Sequence, residues 1–89
     1  MSHIVNLDEV GCLYRFTKTN DKVQLLIESP TKTTAINCTY DELKDIYYWY
    51  KDGPIKFVRI NHDIKVTYCL KNENEISHFM RALGQLILG

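Results

Sequence analysis

Eighty-nine residues carry eleven basic and eleven acidic side chains, 45% hydrophobic residues, four glycines and two prolines. This length sustains one core burying roughly 60–65% of the unfolded surface, and the composition excludes a disordered or low-complexity polymer. A formal net charge of zero argues against a dedicated duplex-DNA binder or a membrane-surface protein, which carry a strong positive excess.

The opening run Met-Ser-His-Ile-Val-Asn-Leu-Asp-Glu has no basic stretch followed by an apolar one, so it does not read as a signal peptide. Residues 4–7 suit an edge strand. Tyr14-Arg15-Phe16-Thr17 alternates into the polar turn Thr19-Asn20-Asp21-Lys22. Val23, Leu25 and Ile27 then share one face, with Gln24 and Glu28 opposite, and the two runs read as an antiparallel hairpin. Ser29-Pro30 breaks it, and residues 33–38 supply a third strand.

Thr39 opens a capping box with Glu42, followed by an apolar stripe of Leu43, Ile46, Tyr47 and Tyr50 at helical spacing. Gly53-Pro54 is expected to stop this helix. Residues 55–60 run through Asn61-His62-Asp63 into Ile64, Val66, Tyr68 and Leu70, a second hairpin. Asn72 with Glu75 caps a second helix, whose stripe is Ile76, Phe79, Met80, Leu83 and Ile87. Gly84 inside it costs up to about 1 kcal/mol against alanine, which suggests close packing on a neighbour. A constant offset of 41 aligns Phe16 with Phe57 and Leu25 with Val66, so the two hairpin-helix units can be read either as a duplication or as common hairpin grammar. The order (β)ββ(β)αββα predicts a single α+β domain over residues 1–89. Its expected form is an antiparallel sheet of four to six strands with two helices on one face.

Little in this chain is arranged for chemistry. Cys12, Cys38 and Cys69 make neither a disulfide framework nor a metal knuckle and read as buried thiols of a reducing, cytoplasmic protein. Ser2, Ser29 and Ser77 lack a nucleophile elbow, and His62 stands about 20 Å along a strand from Cys69. His3, His62 and His78 have no ligand spacing, and the scattered glycines form no phosphate-binding loop. Asp41, Glu42 and Asp45 sit at a helix start, where the macrodipole accounts for them. No catalytic residue, metal ligand or cofactor is expected, and no stretch has the roughly 20 apolar residues of a membrane helix.

The informative run is Tyr47-Tyr48-Trp49-Tyr50, four consecutive aromatics on one helix. At about 100° per residue, Tyr48 points about 150° and Trp49 about 110° from the stripe centre, beyond what packing requires. Exposed aromatics dominate binding surfaces because they offer large area with few rotors. The sequence therefore favours a small non-enzymatic protein-interaction module, an inhibitor, adaptor or immunity-type factor. Tyr48 and Trp49 would be its anchors, and Lys44, Asp45 and Asp52 a charged rim. Eight lysines to three arginines, with abundant Ile, Asn and Tyr, suit a low-GC source such as a phage or mobile element acting on a host component. The alternative is a homo-oligomer that sequesters a nucleotide or other small ligand through Arg15, Arg59 or Arg81. A third reading is single-stranded nucleic acid on the sheet face, where Lys56, Lys65 and Lys71 are basic but Tyr14, Phe16, Phe57 and Tyr68 fall on the core side. Without those rings the outward face, with Arg15, Gln24, Glu28 and Thr67, reads as solvated, as does the His78, Arg81 and Gln85 side of the second helix.

Overall fold

The computed structural model describes residues 2–89 and contains six strands and two helices in the order β1 (Ser2–Asn6), β2 (Leu13–Thr19), β3 (Lys22–Glu28), β4 (Thr33–Thr39), α1 (Tyr40–Trp49), β5 (Ile55–Asn61), β6 (Ile64–Leu70) and α2 (Glu73–Leu88). The architecture is α+β, with the element order that hydrophobic periodicity implies. Two-residue turns close both hairpins. Asn20 adopts φ 57, and His62 and Asp63 adopt φ 50 and φ 65, the left-handed geometry that matches the twist of paired strands.

The strands divide into two three-stranded sheets rather than one. Sheet A has the order β1-β6-β5 and sheet B the order β2-β3-β4. Within sheet A, β1 runs parallel to β6, with Ile4 beside Thr67 and Val5 beside Tyr68. No ladder joins β4 to β5; a side chain links them instead, Arg59 Nε donating to Asn37 O at 2.9 Å. The two hairpins also differ in register. A constant offset of 41 would set Phe57 opposite Val66, but Phe57 pairs with Tyr68, whereas Phe16 pairs with Leu25.

Period-two alternation turns Val23, Leu25 and Ile27 of β3 inward, and Ile55 and Phe57 of β5 likewise. Phe79 of α2 stands where the layers meet, its ring 5.6 Å from Tyr14, 5.8 Å from Phe16 and 6.1 Å from Phe57. One ring thus contacts both sheets, and burying such a side chain contributes about 2–3 kcal/mol. The helices meet each other on the core side, α2 along β2 and α1 against β4. A Cβ on Gly84 would lie 3.3 Å from the Tyr47 ring, so the glycine marks the close approach of α2 to α1.

Helix α1 ends sooner than Gly53-Pro54 suggests. Tyr50 already leaves it at φ −65, ψ 132, packs on the core and donates its hydroxyl to Gly53 O at 2.8 Å. Gly53, at φ 82, serves the turn that follows.

Candidate functional site

Leu43 of α1 is fully buried, and Ile46 and Tyr47 pack on the core beside it. The residues past that stripe turn outward. Tyr48 is 58% exposed and Trp49 77% exposed. The Tyr48 ring meets Tyr47 edge-on at 5.2 Å, which fixes its direction over the helix surface. Trp49 borders a shallow depression with Asp45, Tyr50, Pro54 and Lys56. Lys44, Asp45 and Asp52 are all exposed. Lys44 leans toward the other end of the helix, its Nζ 5.9 Å from the Tyr40 ring, so Asp45 is the rim charge that borders the depression with Trp49.

The three arginines do not converge. Arg15 Nε lies 3.1 Å from Glu28 Oε1 on the outward face of sheet B. Arg59 grips Glu42 with two hydrogen bonds, Nη1 to Oε2 at 3.0 Å and Nη2 to Oε1 at 2.6 Å. It also donates to Cys38 Sγ and to the backbone of Asn37 and Val58. Burial, reinforced by the charge of Glu42, pushes the Cys38 thiol up to about 11. Arg81 lies on α2, bordering a separate cleft with His78 and Glu75. A phosphate ligand within one chain would therefore meet at most one of these guanidinium groups.

That second cleft holds a buried side chain that sequence reasoning assigned elsewhere. Glu75 was expected to complete a capping box by reaching back along α2; instead it turns into the protein and is 3% exposed. Gly11 N donates to its Oε2 at 3.3 Å and the Tyr14 hydroxyl to its Oε1 at 3.1 Å. Burial, then the bond to Glu75, raises the Tyr14 phenol well above its ordinary value of 10.0. The capping role passes to Asp8, whose Oδ1 accepts from Lys71 N at 2.6 Å and Asn72 N at 2.8 Å. Asn72 keeps the other half of the cap, accepting from Asn74 N and Glu75 N. No local signal betrays Asp8, because its partners lie more than sixty residues away.

All three cysteines are free thiols, and among the described residues no group of three or more His, Cys, Asp or Glu side chains is placed to hold a metal ion. Among the described residues no helix is long and apolar enough to cross a membrane. Phe57 is buried, and Tyr14, Phe16 and Tyr68 pack against the core, so none of these four rings forms a stacking platform on an outward sheet face. Comparison with protein-family models, with curated proteins and with solved structures yields no match.

Proposed function

We propose that this protein acts by surface contact, as a small non-catalytic module that captures a partner protein on the outward aromatic end of α1. The observation that supports this reading is the exposure of two adjacent large rings, Trp49 at 77% and Tyr48 at 58%. Neither belongs to the core, whose α1 contribution is Leu43 with Tyr40, Ile46 and Tyr47 packed against it. Rings in this position gain free energy when a partner removes them from water, and they lose little rotamer entropy in doing so. Asp45 and Lys56, on the border of the same depression, supply polar contacts of both signs around the indole. Inhibitor, adaptor and immunity-type roles all act through such a contact without bond chemistry.

The reading is tested by paired affinity capture with the wild type and the Tyr48→Ala, Trp49→Ala double variant. Proteins retained by the wild type and lost with the variant, at unchanged thermal midpoint, support it. Identical capture by both baits overturns it. So does a fall in thermal midpoint of more than about 5 °C, which would show the rings serving stability.

A further inference from the structure

The outward face of sheet A is unlike the outward face of sheet B. Across sheet A, the register sets Ile4, Thr67 and Val58 in one row over three adjacent strands, with Ile60 one position along β5 on the same face. Ile4 is 77% exposed, Ile60 76% and Val58 46%, and both helices lie on the opposite, core side. The strands of this sheet read SHIVN, IKFVRIN and IKVTYCL, with no Asp or Glu among them. Lys56 and Lys65 flank the aliphatic row, and neither joins an ion pair among the described residues. Sheet B instead presents Thr17, Gln24 and Asn37 in register, and its outward aliphatics Leu13 and Leu26 sit beside Arg15 and Glu28, which pair with each other.

We infer that the outward face of sheet A is a docking surface for an acidic segment of a partner protein, one that alternates aliphatic side chains with carboxylates. Charge complementarity selects this occupant. Two unpaired lysines around an apolar centre favour a partner that brings negative charge with its apolar side chains. A second copy stacked on this face would bring no carboxylate to answer the lysines. Single-stranded nucleic acid seeks stacking rings, and this face offers branched aliphatics. The surface shares Lys56 with the depression beside Trp49 but none of its aliphatic side chains, so Ile60→Asp and the Tyr48→Ala, Trp49→Ala pair tell the two readings apart.

The test is an NMR titration of the isotopically labelled full chain with a short peptide alternating glutamate and valine. A lysine–valine peptide, oligothymidylate and vesicles containing phosphatidylserine serve as comparators. The acidic peptide is expected to shift amides of residues 56–60 and 64–67, with affinity that falls as salt is raised. The Lys56→Glu, Lys65→Glu variant should bind it about tenfold more weakly and gain affinity for the lysine peptide. Ile60→Asp, at an exposed position, should weaken binding without changing the thermal midpoint. The inference fails if the acidic peptide leaves this face unshifted, if both peptides bind alike, or if only the oligonucleotide or the vesicles shift it. A dimer in light scattering whose interface covers these residues would overturn it as well. Tyr48→Ala, Trp49→Ala should leave the titration unchanged, which separates this result from the reading of α1.

Discussion

Glu42 and Glu75 occupy the same place in their helices, three residues after the N-cap, yet they stabilise the fold in different ways. Helix α1 follows sheet B, and its Glu42 reaches across to Arg59 of sheet A. Helix α2 follows sheet A, and its Glu75 reaches across to Tyr14 of sheet B. Each helix start thus braces the sheet it does not follow. The first brace is an ion pair with both side chains about a third exposed, at 29% and 32%. The second is a nearly dry carboxyl group held by a phenol and a backbone amide. Water can replace much of the first contact and less of the second, whose carboxyl group is 3% exposed although its partners line a cleft, so burial decides which brace matters more.

The sharpest way to break this comparison is Glu75→Ala against Glu42→Ala in urea denaturation. Removing Glu75 leaves the Tyr14 hydroxyl and Gly11 N–H without their partner and opens space behind α2, an expected loss of about 2–4 kcal/mol. Removing Glu42 should cost about 1 kcal/mol or less, since Arg59 keeps its bonds to the Asn37 and Val58 carbonyls. Equal losses would show that exposure does not set the difference.

A smaller contrast concerns the caps. Asp8→Ala deprives two backbone amides, those of Lys71 and Asn72, and should cost about 1–2 kcal/mol. Thr39→Ala deprives only the Glu42 amide and should cost about 1 kcal/mol. The same denaturation curves check both, and a larger loss for Thr39 would reverse the assignment.

The gentlest effect is alkaline. Folding raises the Cys38 thiol from 9.0 to about 11 and lifts the Tyr14 phenol above 10.0. The folded state therefore holds protons that the unfolded chain releases first, and stability falls as pH rises from about 9 toward 11. Below pH 9 neither group contributes a slope. Tyr14→Phe should flatten the upper part of the decline and Cys38→Ala the lower part, read from thermal midpoints across pH. An unchanged decline in both variants would assign it to other groups.

Much of the fold was legible because it rests on local rules. Alternation in β3 and β6, helical spacing after Thr39 and Asn72, and the two hairpin turns each state their element within a few residues. The outward placing of Tyr48 and Trp49 was legible for the same reason, since a helix of fixed pitch cannot turn four consecutive aromatics to one side. The aliphatic face of sheet A was half visible: Val58 and Ile60 alternate with the inward Ile55 and Phe57, so β5 carries apolar residues on both sides. A strand apolar on both faces is ordinarily covered on both, and only the position of the helices shows which side stays open.

The amino-acid order by itself determined the elements, the N-cap residues Thr39 and Asn72, the turns and the rings that the core leaves unused, because these follow from backbone sterics and side-chain period over short stretches. The tertiary structure alone decided that six strands split into two sheets, that β1 joins in parallel, and that Glu75 turns inward while Asp8 takes over its cap. Those outcomes depend on which groups separated by tens of residues come within hydrogen-bonding distance, and that is set by packing the whole chain around Phe79.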